Sequence, residues 1–154
     1  MRHKFIEPTV RKATYILLAI VLLSGTFYGV FSRENKSIHG SLGGEELVLK
    51  IADNEALRAQ GLSGSSPLSE HEGMLFIFPR SGNYGFFMKD MLYPIDIIWL
   101  DEKYRIVGVE ERAMPESYPK VFYPASPARY VVELRAGFYS DYNINMGDVL
   151  KMSK

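Results

Sequence analysis

The sequence predicts a mainly β (α+β) fold, a small antiparallel β-barrel or sandwich with two short helices, preceded by one N-terminal transmembrane helix. Three observations support this prediction. Short apolar or alternating segments recur from residue 46 onward and are separated by turn-forming residues. Only two short segments carry helical signals, whereas a helical bundle needs long runs with a 3.6-residue period. A single uncharged segment, 13–31, precedes them all.

The N-terminal segment 13–31 predicts a membrane anchor. As a helix it would be roughly 28 Å long, close to the thickness of the bilayer hydrocarbon. Residues 1–12 form a basic segment with four Lys or Arg against one Glu, so we expect the N-terminus in the cytoplasm and the rest outside. The alternative is a cleaved signal peptide, for which Val30–Ser32 is a poor cleavage site. The expectation is a single-pass cell-membrane protein, or a secreted one if the segment is cleaved.

The remaining sequence divides into a linker and one domain. Residues 32–41 are polar and aperiodic, which predicts a linker. Residues 42–154 are enough for one core, and we expect them to fold alone as a soluble monomer. Residues 32–154 carry 14 basic and 17 acidic residues, so bulk charge disfavours binding to nucleic acid or anionic lipid.

The first half of the domain predicts three strands and a helix. Glu46–Ile51 alternates and predicts the first strand, and Asp53 can cap a short helix over 54–60 that ends at Gly61. Met74–Phe78 is a continuous apolar run that predicts a buried strand stopped by Pro79, and a further aromatic strand is expected at Tyr84–Met88.

The second half predicts a hairpin, a proline-rich crossing, two further strands and a short helix. The hairpin strands are 95–100 and 105–111, around a turn at 101–104. Four prolines between residues 115 and 127 make regular structure unfavourable there. A strand at 128–134, a short helix within 136–142 and a last strand at 149–152 complete the domain.

Composition excludes several classes of chemistry. The chain has no Cys, so it has no disulfide, no thiol nucleophile and no Cys-ligated metal. It lacks the G-x-S-x-G, phosphate-loop and H-E-x-x-H motifs. Its three His residues all fall outside predicted strand cores. We therefore expect no metal and no cofactor.

Charged residues in buried strands are the candidate site residues. In the strand 95–100, Asp96 shares a face with two apolar residues, where a carboxylate needs a partner. We expect Asp96 to accept a hydrogen bond from Lys89, Arg129 or backbone amides, at the edge of the best polar pocket. In the strand 128–134, Arg129 and Glu133 share a face about 13 Å apart, too far to pair directly. A structural polar layer is the alternative interpretation.

Six motifs in one order resemble the prokaryotic family known as domain of unknown function 192. They are Arg58-x-x-Gly61-Leu62, Glu72–Pro79, Phe86-Phe87-Met88-Lys89-Asp90, Pro94–Asp101, Pro127–Leu134 with Ala136-Gly137, and Gly147-Asp148-x-Leu150. The resemblance spans about residues 45–151 and implies a compact, strand-rich domain, often behind a signal peptide or anchor. It implies no established reaction.

The polar motif residues define the predicted ligand site. They are Arg58, Lys89, Asp90, Asp96, Arg129 and Glu133, with aromatic residues close to them in sequence. Aromatic walls with a few convergent charges are typical of a small polar ligand site, although aromatics more often form core.

Three functions remain open at this point. The first is a membrane-anchored extracytoplasmic domain that binds a small polar or saccharide-like ligand. The second is a hydrolase that uses a carboxylate pair, or Lys89 with a carboxylate. The third is an accessory protein that binds another envelope protein through a sheet edge or an apolar patch. The sequence does not decide whether the protein is an enzyme.

Overall fold

The computed structural model describes residues 36–153, which form one seven-stranded sheet curled into a half-barrel with two short helices. The strand order is β5-β4-β6-β3-β2-β1-β7. The elements are β1 Ser37–Leu42, β2 Glu45–Ala52, α1 Glu55–Gln60, β3 Glu72–Gly82, β4 Ile95–Leu100, β5 Ile106–Ala113, a 3-10 turn Pro115–Ser117, β6 Ala128–Arg135, α2 Phe138–Asp141 and β7 Lys151–Met152. The mainly β class is confirmed.

The sheet matches the expectation in being mainly antiparallel and refines the expected barrel or sandwich in two ways. Strands β2 and β3 pair in parallel, while the other five pairs are antiparallel. The parallel pair follows from α1 and residues 61–71, which carry the chain from the end of β2 back to its start. The described residues also form one curled sheet rather than two stacked sheets.

Each face of the sheet carries its own apolar cluster. Leu42 of β1 and Ile106 of β5, near opposite ends of the strand order, belong to the same cluster, so that face is the inside of the curl. Ile98 and Leu100 point into this inner cluster. The outer cluster contains Ile95, Ile97 and Trp99, as the alternation predicts. Residues 83–94 and 114–127 connect strands and contribute Met88 and Phe122 to the outer cluster.

The curl brings the two ends of the sheet into contact. Arg105, just before β5, forms a bridge with Val149, just before β7. The amide of Ile106 donates to the carbonyl of Asp148 at 2.9 Å, and the amide of Leu150 donates to that of Tyr104 at 3.0 Å. These few bonds connect the two edges around the inner cluster.

The first strand lies in the segment expected to be a linker. Ser37–Leu42 pairs with β2 over six residues and with β7 at Gly40. Its sequence is polar and has little periodicity of its own, so its strand structure depends on its two neighbours. The domain therefore begins before residue 42.

Three further elements differ in detail from the sequence-based expectations. Asn54, rather than Asp53, caps α1, and its side chain accepts from the amide of Leu57 at 3.0 Å. Pro79 lies within β3 at an irregularity in the β3–β6 register instead of ending the strand. Residues 84–88 form only a single bridge, Phe86 to Phe122.

The predicted membrane segment 13–31 lies outside the described residues. Between residues 36 and 153, no helix has the length and apolar character needed to cross a bilayer.

Candidate functional site

Glu133 is a buried carboxyl group on the outer face of β6, an interior strand of the sheet. Its side chain follows the same face as Val131 of the outer cluster, and its backbone neighbours across the sheet are Met74 and Ile97. Glu133 is only 7% exposed, and its Oε2 atom is buried without a hydrogen-bond partner. Burial raises the pKa of Glu133 to about 8, because the ionised form loses its hydration. At neutral pH the group is therefore mainly a carboxylic acid.

A cavity of about 80 Å³ opens beside Glu133. The cavity lies between two parts of the chain. One is the end of α1 together with the residues that follow it, and the other is the segment around Gly85. Its polar side chains include Arg58 and Ser63, and its aromatic side chains are Phe76, Phe86 and Phe87. A volume of this size can hold a few water molecules or one arm of a ligand, but not a whole sugar ring with its substituents.

Gly61 keeps the cavity open next to the carboxyl group. Its φ of 52° lies in the region that favours glycine, and its amide closes α1 by donating to the carbonyl of Leu57 at 2.9 Å. A Cβ atom at this position would lie 3.4 Å from the Phe76 ring and 3.9 Å from Oε2 of Glu133. Any larger side chain would therefore approach the space in front of Glu133.

Arg58 is the cation of the cavity, and it is held in place by β3. Its guanidinium donates to the carbonyl of Ile77 at 2.9 Å and lies 5.2 Å from the centre of the Phe78 ring. Arg58 and Glu133 line the same cavity but form no ion pair with each other in the described part of the chain. Both groups therefore retain hydrogen-bonding capacity for a ligand.

Lys89 and Asp90 contribute their backbone to this site rather than their side chains. The carbonyl of Lys89 accepts from the Ser63 hydroxyl at 2.9 Å, and that of Asp90 accepts from the amide of Gly64 at 2.9 Å. Asp90 has a φ of 56°, and both side chains are exposed. The two residues thus position the loop after α1, part of which lines the cavity.

Asp96 lies on the opposite, inner face of the sheet. It is fully buried, and its Oδ1 accepts from the amides of Arg112 at 2.8 Å and Gly137 at 2.9 Å, while Oδ2 accepts from the amide of Tyr139 at 2.9 Å. Backbone amides, one of the three expected kinds of partner for Asp96, thus donate to it. Asp96 does not line the Glu133 cavity, contrary to expectation, and it ties β4 to the end of β5 and to α2.

Arg129 does not line the Glu133 cavity. Its guanidinium carbon lies 5.7 Å from the centre of the Tyr130 ring, and its Nε is buried without a partner. Of the six predicted site residues, the structure brings the side chains of Arg58 and Glu133 together in one cavity. Ser63 is a lining residue that the sequence does not predict, because a lone Ser after a helix carries no distinctive signal. The pattern around Gly61 indicates only a helix end.

The described surface also carries a depression away from Glu133. This depression of about 450 Å³ includes Glu111 and Tyr139 in its lining, but it contains no buried polar side chain without a partner. Over residues 36–153, no cluster of three or more His, Asp or Glu residues is arranged to hold a metal ion.

Comparison with known proteins identifies the family. Residues 38–152 match the family described as Uncharacterized ACR, COG1430, and known as domain of unknown function 192 (DUF192). The chain belongs to the DUF192 family. Among curated proteins, it is 32% identical over 108 residues to the UPF0127 protein PH1112 of Pyrococcus horikoshii, covering 67% of this chain and 85% of that protein. The name of this relative, a UPF0127 protein, states no reaction.

Solved structures show the same fold. A protein of Sinorhizobium meliloti 1021, R01717, which bears the provisional name of a transcription regulator, superposes with a TM-score of 0.69 at 25% identity, covering 75% of this chain and 92% of that one. A protein of unknown function from Novosphingobium aromaticivorans gives a TM-score of 0.67 at 24% identity, covering 75% and 83% respectively. The DUF192 half-barrel is thus a known fold, and the function must be argued from the site.

Proposed function

We propose that this DUF192 domain binds a small, neutral, polar ligand, saccharide-like in its chemistry, in the Glu133 cavity outside the cytoplasmic membrane. The observation that carries the proposal is the unpartnered Oε2 of Glu133, buried and directed to a cavity. A buried polar group without a partner costs free energy, and a ligand that supplies the missing hydrogen bond recovers it. Segment 13–31 would hold the domain at the membrane, as the sequence predicts.

The protonation state of Glu133 selects the ligand chemistry. A carboxylic acid offers one O–H donor and one carbonyl acceptor, the pattern that complements a carboxamide or a hydroxyl group. Arg58 adds further donors at the same cavity, and the aromatic side chains provide flat apolar walls. Volume and chemistry together favour an acetamido or hydroxymethyl arm in the cavity, with the rest of the ligand outside.

The hydrolase alternative has less support in the described residues. Glycoside hydrolysis of the common type needs two carboxyl groups about 5–10 Å apart and facing one space. Glu133 is the only carboxyl group in the lining of this cavity among residues 36–153, and Asp96 lies on the other face of the sheet. A single unpaired acid is better suited to binding than to acid–base catalysis by a pair.

Titration with N-acetylglucosamine, followed by NMR chemical shifts of the full-length chain in detergent micelles, tests this function. We expect N-acetylglucosamine to shift the amides of Gly61 and Ser63 at pH 6. Glu133→Gln should keep binding, since an amide also donates and accepts, whereas Glu133→Ala should lose it. Asp90→Asn, an exposed change outside the cavity lining, is the matched control.

The pH dependence provides a second arm of the same test. Binding to the wild type should weaken as the pH rises through about 8, because the ionised Glu133 no longer donates. Burial raises the pKa of Tyr93, whose charge acts on Glu133, above its usual 10, so Tyr93 stays mainly neutral in that range. Binding to Glu133→Gln should not change with pH. Equal binding of Glu133→Ala and wild type would refute the proposed site.

A further inference from the structure

The outer surface carries an aromatic patch formed by Phe87, Tyr118, Val121 and Tyr123. All four side chains are exposed, with Tyr123 at 59% and Val121 at 39%. Of the eight large apolar or aromatic side chains most exposed over residues 36–153, six lie in the two segments 84–93 and 114–123. Leu92 and Met114 are the other two. Such a concentration of exposed apolar surface marks an interaction site.

The backbone of the two segments builds this patch. Phe86 and Phe122 form the bridge between them, and both side chains pack in the outer cluster. Because side chains alternate along an extended segment, the residues on either side of each Phe point outward. The rings of Phe87 and Tyr118 lie 6.1 Å apart.

Gly85 lets two of these side chains lie close against the backbone. A Cβ at Gly85 would lie 2.6 Å from both Tyr123 Cε1 and Val121 Cγ1, so these side chains occupy the space above the glycine. The patch is therefore held in place by the fold and is more than a chance set of exposed residues.

The patch is apolar and aromatic with balanced charge. Segments 84–93 and 114–123 together contain Lys89 and Lys120 against Asp90 and Glu116. Tyr and Phe beside Leu, Met and Val, with flanking lysines, is the composition of surfaces that lie at the headgroup level of bilayers. Balanced charge means that such a contact does not need anionic lipid.

The predicted anchor holds the domain close to a bilayer. Five residues, 32–36, separate the segment 13–31 from Ser37, the first residue of β1, and an extended linker of five residues spans at most about 18 Å. A surface held so close has a high effective concentration relative to the bilayer, so even a weak contact is populated.

We propose that the aromatic patch docks on the surface of the lipid bilayer that anchors the chain. This inference rests on the anchoring part of the proposed function and adds a second, peripheral contact to it. Because Phe87 belongs to both the patch and the lining of the Glu133 cavity, docking places the mouth of the cavity next to the headgroups. The cavity would then receive its ligand at the membrane surface.

Depth-dependent quenching in vesicles tests the docking. The chain has no Cys, so Tyr118→Cys, Tyr123→Cys and Val48→Cys can each carry one environment-sensitive dye. Val48 is 38% exposed on β2 and serves as the control outside the patch. In phosphatidylcholine vesicles with headgroup-level spin labels, we expect the dye at 118 and at 123 to lose most of its emission and the dye at 48 to lose little. Adding anionic lipid should not increase the effect.

A matched pair of charge substitutions tests whether the apolar patch causes the quenching. Val121→Asp, at 39% exposure, should abolish quenching at position 123, whereas Val48→Asp, at 38%, should leave it unchanged. Flotation with the vesicles checks the anchor separately. A chain that floats but shows no quenching at 118 or 123 overturns the docking and leaves the anchor standing, as expected if the patch binds another protein. A chain that does not float overturns both.

Discussion

Glu133 and Asp96 are both buried carboxyl groups in neighbouring strands, but the fold satisfies them differently. Asp96 accepts three backbone hydrogen bonds, whereas Oε2 of Glu133 accepts none. The difference comes from what lies opposite each residue. The end of β5 and the start of α2 present amides to Asp96, while Glu133 faces the cavity beside α1. The carboxylate of Asp96 therefore stabilises the fold, whereas the carboxyl group of Glu133 is free to bind a ligand.

Asp96→Asn is expected to destabilise the domain by about 1–3 kcal/mol. An Asn side chain has one acceptor oxygen, so its NH2 group would face at least one of the three amide donors. Urea unfolding measures the loss, with the exposed Asp53→Asn expected to stay within about 0.5 kcal/mol of the wild type. N-acetylglucosamine binding should persist. A variant that keeps its stability but loses binding would instead give Asp96 a role in the ligand site.

Glu133 is expected to make the stability of the folded domain fall as the pH rises. The pKa of Glu133 is raised from its usual 4.5 to about 8, so the folded state holds a proton that the unfolded state releases between these values. Relative to Glu133→Gln, the wild type should lose roughly 3–5 kcal/mol between pH 4.5 and 8. Unfolding free energies of both proteins at pH 5 and pH 8 check this. Parallel pH profiles for the two proteins would show that Glu133 is ionised in the folded state.

At the scale of elements, β1 is the strand that the sequence pattern does not predict. The segment Ser37–Leu42 has polar residues and a glycine, and its strand structure is evident only from its pairing with β2 and β7. By contrast, β4 and β5 were predicted as a hairpin because their alternation and their turn are both local. Local patterns thus predicted β4 and β5 and missed β1, a strand that its two neighbours specify.

A chain that starts at residue 36 should fold, whereas one that starts at residue 43 should not unfold cooperatively. Removing β1 takes away the buried Leu42, exposes the edge of β2 and leaves β7 without its strand partner. Urea unfolding of both chains checks the expectation. A sharp transition for the chain that starts at residue 43 would restore residue 42 as the domain boundary.

The candidate site shows the same division between local and non-local information. Alternation along β6 was sufficient to place Glu133 on the same face as Val131, because that information is contained in six neighbouring residues. It could not show that Arg58, 75 positions earlier, lines the same cavity, or that Asp96 finds amides from residues 112, 137 and 139. Those contacts depend on the strand order and on the curl of the sheet.

At the scale of the whole molecule, the charge distribution predicts orientation. Residues 1–12 are net positive, and we expect residues 42–154 outside the cytoplasm. A reporter fused after Lys154 that works only in the cytoplasm should be silent, and a periplasmic or surface reporter should be active. The intact mass of the mature protein separates an anchor from a cleaved signal peptide. Activity of the cytoplasmic reporter would contradict the orientation.

The pairing of β1 with β7 brings the two ends of the described chain side by side. The amide of Ser153 donates to the carbonyl of His39 at 2.9 Å, only three residues from Lys36. A domain with adjacent ends behaves as a closed module: it can be inserted into a surface loop of a host protein, or circularly permuted by joining residues 36 and 153 with a short connector. Cargo fused after β7 would emerge beside the point where the chain enters the domain.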